Sequence, residues 1–170
     1  MIPRAIASSA LLLALAACGT LPFLPQDLVV DGPSAIVCDG HDAVGTNRSD
    51  IYYLDQVDEQ RIRSSWTEAG QRNANLGLKR KFQPNDNCRA IPAGRPVKLE
   101  LRASTSYVAP IIAMFNENWS TSGTLSFTPT AGATYLVKGD LGAHYLAVWL
   151  EDNAGGGVVD HKFETGHKAD

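Results

Sequence analysis

The sequence lacks the motifs that mark most enzymes and nucleic-acid-binding proteins. None of its serines lies in a G-x-S-x-G nucleophile elbow, and no glycine-rich loop leads from a strand into a helix as phosphate binding requires. Its longest basic run is Lys79-Arg80-Lys81, and 18 Asp and Glu outnumber 15 Lys and Arg to give a net charge of −3. We therefore expect a protein that is not an enzyme and that has no nucleic-acid partner.

Histidine is also scarce, at four residues. The pair His41-Asp42 is the one most suggestive of a metal site or of proton transfer, but the other histidines are scattered without zinc-ligand spacing. The aspartates between residues 39 and 55 are dense, yet they do not follow the spacing of a calcium loop. We expect neither a metal nor a cofactor.

No run of about 20 apolar residues, the length that crosses a bilayer, occurs in the sequence. A shorter apolar stretch, Ala5 to Ala17, follows a single positive charge at Arg4 and ends in small residues. A charged start, a short apolar middle and a small-residue end are typical of a secretory signal peptide. Residues 1–17 are therefore predicted to be removed on export.

The signal ends in Leu15-Ala16-Ala17-Cys18, which resembles the lipobox of bacterial lipoproteins. The resemblance implies that Cys18 receives a diacylglyceryl thioether, that the chain is cut before it, and that the new amine is acylated. Several acyl chains hold a protein stably to a bilayer. Because Gly19 rather than Asp follows, the resemblance favours the outer membrane, facing the periplasm or the cell surface. An ordinary signal peptide with a chance cysteine is the alternative.

Two cysteines remain after Cys18, and exported proteins usually pair such cysteines. Cys38 precedes the turn residues Asp39-Gly40, and Cys88 follows the polar turn 85–87. We predict a disulfide between them, which would close a loop of about 50 residues and contribute about 4 kcal/mol in the chain-entropy model. Free buried thiols and a metal site are the alternatives, and the spacing matches no zinc pattern.

Between the signal and the C-terminus, the chain divides into a tether, one domain and a tail. Prolines keep residues 18–33 extended, which predicts the tether. Residues 34–160 contain short strands separated by turns; "VKLELRA" alternates apolar and charged residues, and "HYLAVWL" is apolar on both faces. Residues 59–70 carry helical spacing but also Ser64-Ser65 and Gly70, so a strand followed by a loop is favoured there. The polar residues 161–170 are predicted to be a flexible tail.

Short gaps between many short strands predict an all-β fold, an antiparallel Ig-like or transthyretin-like β-sandwich of about 7–9 strands. The "IPAG" turn that feeds an alternating strand resembles PEGA-like modules and other transthyretin-like sandwiches. Together with "IYYLDQVDEQRI", "SFTPTAGATYLVKGDL" and "AVWLED", the layout over roughly residues 50–160 resembles small proteobacterial lipoproteins. The resemblance implies a β-sandwich at a membrane surface and implies no chemistry.

Trp119 lies in the polar loop "NENWSTSG", where an exposed Trp would suit a protein or glycan contact. The alternative is that its ring folds back as a lid on the core. We expect a non-catalytic binding or accessory role in an envelope assembly, with the bilayer reached through acylated Cys18 and an envelope protein or glycan as partner. The alternative function is a small enzyme-inhibitor or glycan-binding module that uses loops at one end of the sandwich.

Overall fold

The computed structural model describes residues 28–73 and 87–167 and shows the predicted all-β sandwich. Cys18, the predicted signal peptide and most of the predicted tether lie outside the described residues. In chain order the elements are β1 (Ser34–Cys38), β2 (Gly40–Val44), β3 (Arg48–Val57), β4 (Gln60–Arg61), α1 (Ser65–Asn73), β5 (Cys88–Pro92), β6 (Val97–Tyr107), α2 (Pro110–Met114), β7 (Ser120–Phe127), β8 (Thr134–Leu141), β9 (Tyr145–Asp152) and β10 (Val158–Gly166).

Two five-stranded sheets face each other. One has the order β10-β9-β8-β1-β5, and the other has the order β2-β3-β6-β7 with β4 paired to β3. The pairs in the described residues are antiparallel except for β1 with β8, which is parallel. These residues form ten strands rather than about 7–9, because a change of sheet at Asp39 divides one run into β1 and β2, and because β4 is a two-residue strand.

The alternating pattern of β6 places its apolar side chains in the core between the sheets. Val97, Leu99 and Leu101 are almost fully buried, whereas the intervening Lys98 and Glu100 face outward. The opposite sheet contributes apolar residues of β1, β8 and β9 to the same core, including Val37, Val137 and Leu150. One face of each sheet is thereby removed from water, as a two-layer fold requires.

Strand β3 is buried on both faces, since α1 covers its outer side. Ile51 and Tyr53 pack there against Ala69 and Trp66 of the helix, and the Tyr53 and Trp66 rings stack with centroids 6.1 Å apart. The strand-and-loop prediction for residues 59–70 is therefore wrong beyond β4. Burial of Trp66 and Ala69 outweighs the low helix propensity of the segment. Ser64, which counted against a helix, caps it instead: its Oγ accepts the Thr67 N–H at 3.4 Å.

The predicted flexible tail, residues 161–170, is also wrong for most of its length. Strand β10 continues to Gly166, which pairs with Tyr145 of β9. The ring of Phe163 fills the space directly over Gly123 of β7, where no Cβ could be accommodated. Sheet pairing and this apolar contact together order a segment whose side chains are mostly polar.

Because Phe163 packs between the sheets, we expect Phe163→Ala to lower the free energy of unfolding by about 1–2 kcal/mol, as removal of a partly buried large apolar side chain does. Urea unfolding measures the change, and Thr165→Ala, at an exposed position of the same strand, is the matched control with an expected effect below about 0.5 kcal/mol. Equal stability of the two variants would contradict the packing of β10.

The predicted disulfide joins Cys38 and Cys88, whose sulfurs are 2.03 Å apart. The two cysteines are direct partners in the register of β1 and β5. Asp39 follows at the point where the chain crosses to the other sheet, and its carboxylate is fully buried. It accepts the backbone N–H of Leu54 at 3.0 Å and a hydrogen bond from Arg89 at 2.7 Å. The disulfide and this ion pair fasten the crossover to β5 and β3.

Candidate functional site

A groove of about 650 Å³ lies at one end of the sandwich. The turn between β2 and β3 forms one side, and α2 with the segment leading to β7 forms the other. The strand register brings them together, because Val44 pairs with Arg48 and Arg48 pairs with Tyr107. The lining residues are Val44, Thr46, Asn47, Arg48, Tyr107, Ile112, Phe115, Asn116, Glu117 and Trp119.

Helix α2 is a short helix that is fixed at both ends. Pro110 stands in its first turn, where a missing N–H costs nothing and a fixed φ favours the helix. At the other end, the Asn116 amide donates to the Ile112 carbonyl at 2.7 Å, and the Asn118 amide donates to the Ala113 carbonyl at 2.8 Å. These bonds satisfy carbonyls that the end of the helix leaves open.

Large apolar side chains are exposed at this end of the molecule. Phe115 is 80% exposed and Met114 is 76% exposed, and Ile111 and Val44 are exposed beside them. In the part of the chain that the structure describes, these are four of the six exposed large apolar residues. A concentration of apolar surface of this kind is typical of an interaction site rather than of ordinary surface.

Trp119, the sequence-predicted contact residue, lies immediately before β7 and is partly buried. Its ring packs against the sandwich core and also lines the groove. The Arg48 guanidinium lies over the ring, 4.3 Å from its centroid. Trp119 therefore combines the two arrangements that the sequence left open, a lid on the core and a wall of a potential binding site.

A chain of buried hydrogen bonds holds the Arg48–Trp119 stack in place. Arg48 donates to both carboxylate oxygens of Asp50, at 2.6 and 3.1 Å, and Asp50 accepts the Thr105 hydroxyl at 2.9 Å. The Thr105 backbone N–H in turn donates to the Trp119 carbonyl at 2.9 Å. A two-point Arg–carboxylate pair fixes geometry as well as charge. The Trp ring is thus positioned before any ligand arrives.

The groove contains two charged side chains, Arg48 and Glu117. Asp50 neutralises Arg48, whereas no basic side chain of the described residues lies at ion-pair distance from the exposed Glu117. Tyr107 donates its hydroxyl to the Glu117 backbone carbonyl at 2.6 Å. Burial raises the pKa of the Tyr107 hydroxyl, so it keeps its proton at neutral pH. Among the described residues, the groove therefore carries one negative charge without a basic partner, that of Glu117.

The aspartates that are dense in the sequence have partners of their own. Besides Asp39 with Arg89 and Asp50 with Arg48, the Asp55 carboxylate lies 3.1 Å from Arg102. Over residues 28–73 and 87–167, no three His, Cys, Asp or Glu side chains are arranged to hold a metal ion. Asp42 of the His41-Asp42 pair accepts the Tyr52 hydroxyl at 2.8 Å.

Sequence reasoning missed Arg48, Tyr107, Phe115 and Glu117 as groove residues. In the stretch "YVAPIIAMF" the proline begins α2. A proline followed by five apolar residues and then "NEN" is a helix start and a polar stop, and this signal could have revealed α2. The groove itself depends on strand register, which no local pattern contains.

Comparison with known proteins identifies no relative from which a role for this groove could be inferred. No protein-family model, curated protein or solved structure matches the chain. Among the helices of the described residues, neither has the length and apolar content that crossing a bilayer demands. The features of the chain that bear on its function are therefore the side chains of the groove and the N-terminal motif.

Proposed function

We propose that the protein is a lipid-anchored lipoprotein of the bacterial envelope that binds a partner protein through the sandwich-end groove, without catalysis. The observation that carries the proposal is the groove in which the exposed Val44 and Phe115 lie with a positioned Trp119, with Ile111 and Met114 also exposed on α2. Acylated Cys18 would hold the protein to the membrane, and the groove would hold the partner.

The residue types of the groove suit a protein partner. Aromatic residues, Met and Arg are enriched in protein interfaces, and Trp, Tyr and Arg dominate the positions that contribute most to affinity. Trp119, Tyr107, Phe115 and Arg48 line this groove together. Because the hydrogen-bonded stack already orders Trp119, binding would cost little further side-chain entropy.

The position of the groove relative to the tether supports an outward-facing role. The tether enters at Ser34, whose neighbours Pro92 and Gly132 lie at the end where β6 begins. The groove lies at the other end of β6, an eleven-residue strand that spans about 36 Å. A protein held by its N-terminus would thus present the groove on the side away from the point of attachment.

Replacing the exposed Phe115 with serine is expected to reduce capture of the partner about tenfold or more, since an aromatic side chain in the middle of an interface commonly contributes that much. The measurement is photo-cross-linking from a probe at Met114 in whole cells, in the full chain with and without Phe115→Ser. A probe at Val158 is the matched control, because Val158 is an exposed apolar residue at the end of the sandwich opposite the groove.

Trp119→Ala is expected to weaken the same capture, and thermal unfolding of that variant separates lost binding from lost stability. A probe at Val158 that captures the same protein as strongly as the probe at Met114 would contradict the proposal. So would unchanged capture by the Phe115→Ser protein.

A glycan is the second candidate partner, because amides and aromatic rings share the groove. Asn47 and Asn116 could hydrogen-bond sugar hydroxyls while Tyr107 and Trp119 offer apolar surface. Titration of the full mature chain with soluble fragments of the cell-wall glycan tests this alternative. Saturable binding that Trp119→Ala abolishes, without any cross-linked protein at Met114, would favour the glycan.

A further inference from the structure

The size of the groove limits what part of a partner it can hold. Its volume of about 650 Å³ falls within the range of pockets that enclose small ligands. A few side chains of a short segment fill such a space, whereas a flat domain surface does not enter it. The occupant is therefore a short segment of the partner, such as a loop or a chain terminus, rather than a whole folded face.

The charges of the groove indicate which side chains that segment carries. The charge of Arg48 is already paired with Asp50, and its guanidinium lies on the Trp119 ring. Glu117 is exposed and has no cationic partner in the described residues. Phe115 and Trp119 supply apolar surface in the same groove. A complementary segment would offer an apolar group together with a positive charge.

A bilayer surface fits the same residues less well. Asn116, Glu117 and Asn118 follow Phe115 directly, and hydrocarbon would remove their water without returning hydrogen bonds. Within residues 28–73 and 87–167, the one basic residue that lines the groove is Arg48, whose charge Asp50 pairs, so the described lining offers anionic headgroups no unpaired Lys or Arg. A polypeptide can satisfy the amides and the carboxylate while it covers the apolar side chains.

We propose that the groove takes a short partner segment in which a large apolar side chain stands beside a Lys or an Arg. The apolar side chain packs on Phe115 and Trp119, and the basic group pairs with the Glu117 carboxylate. Glu117 is then the residue that determines specificity, while the apolar residues supply affinity. This inference rests on the proposed protein-binding function and names the chemistry of its partner.

Synthetic peptides test the assignment directly. The probes are acetylated and amidated hexapeptides that differ at one position, with the central pair Leu-Lys, Leu-Arg, Leu-Gln or Leu-Glu. NMR titration of the full mature chain in detergent micelles gives each Kd. We expect the two basic peptides to bind about twofold to fivefold more tightly than the Leu-Gln peptide, the range for a charge pair with an exposed carboxylate such as Glu117. The Leu-Glu peptide should bind most weakly.

Two variants assign the preference to Glu117. Glu117→Gln should remove the difference between the Leu-Lys and Leu-Gln peptides, and Glu117→Lys should make the Leu-Glu peptide the tightest ligand. Glu68→Gln is the control, because Glu68 lies on α1 and does not line the groove. Unchanged peptide ranking in Glu117→Lys would overturn the assignment.

Other outcomes would also overturn it, and they distinguish its failure from the failure of the proposed function. If no peptide of the panel binds while Phe115→Ser still abolishes protein capture in cells, the partner is a protein but not of this chemistry. If the Met114 probe cross-links to lipid and none of the peptides binds, the surface is a membrane contact. If Phe115→Ser changes neither peptide binding nor protein capture, the proposed function fails as well.

Discussion

Cells that carry the Cys18→Ala chain are expected to contain no acylated form of the protein. The expectation rests on "LAAC" at Leu15–Cys18, which ends a signal-like apolar stretch and resembles a lipobox. The lipid is attached through the cysteine sulfur, so alanine leaves nothing to acylate. Because cleavage before the cysteine follows acylation in lipoproteins, the precursor should also accumulate uncut. This is a complete loss rather than a graded effect.

Labelling with a radioactive fatty acid measures acylation, and flotation of membranes on a density gradient measures attachment. Gly19→Ala is the matched control, because it changes the neighbouring residue and leaves Leu15–Cys18 intact. It should be labelled and should float as the unchanged chain does. A Cys18→Ala protein that is cut and released in normal yield would identify an ordinary signal peptidase site instead.

Arg89→Met is expected to lower the free energy of unfolding by about 3–5 kcal/mol, the range for removing one partner of a buried ion pair. Arg89 donates to Asp39 at 2.7 Å and to the Leu54 carbonyl at 3.1 Å. Met preserves most of the apolar volume of the Arg side chain, so the loss reports the charge and the hydrogen bonds. The fully buried Asp39 carboxylate would keep two backbone N–H donors but no cation.

The exposed pair Arg95–Asp58 supplies a control of similar length, 2.8 Å, with side chains that are 54% and 40% exposed. Because water screens exposed pairs, Arg95→Met should cost less than about 1 kcal/mol. Urea unfolding of the two variants gives the comparison. Equal losses would mean that Arg89 contributes little through its charge and that the crossover at Asp39 depends on the disulfide and on packing.

The pH dependence of Arg89→Met gives an independent check. Burial raises the pKa of Asp39 above its ordinary value of 3.8, and Arg89 is the strongest influence opposing that rise. Without Arg89 the native pKa rises further, so the folded variant takes up a proton at pH values where the unfolded chain is ionised. Stability gained from that proton is present below the unfolded pKa and is lost as pH rises through the native pKa. The deficit of the variant should therefore be smaller at about pH 4 than at about pH 7.

The proposed membrane attachment and the proposed partner binding depend on different features of the chain. Attachment through Cys18 depends on a short local motif, whereas the groove is formed by side chains that the fold brings together. If both proposals hold, the sandwich acts as a spacer about 36 Å long, the span of β6, between a membrane-held tether and the partner. The rigid core around Leu99 and Leu101 then serves to keep the groove at a fixed distance from Ser34.

Local features of the sequence were sufficient to predict the sandwich and the disulfide. In Val97–Leu101 every second residue is apolar, and this pattern can bury only one face of a strand, so it determines both the strand and its inward side. Two cysteines in a domain that is predicted to be exported have few pairing partners other than each other. The N-terminal motif is likewise local, and it predicts acylation of Cys18 from the sequence alone.

Tertiary structure alone decided α1, β10, the Asp39–Arg89 pair and the groove. Helix α1 is stable because the outer face of β3 offers Tyr53 to Trp66, and β10 is ordered because Phe163 finds the space over Gly123. Each of these contacts joins residues distant in the chain, and sheet register determines which residues meet. A local pattern shows which face of a strand is buried but does not show which strand will be its neighbour. For that reason the sequence could suggest Trp119 as a contact residue but could not supply the side chains that surround it.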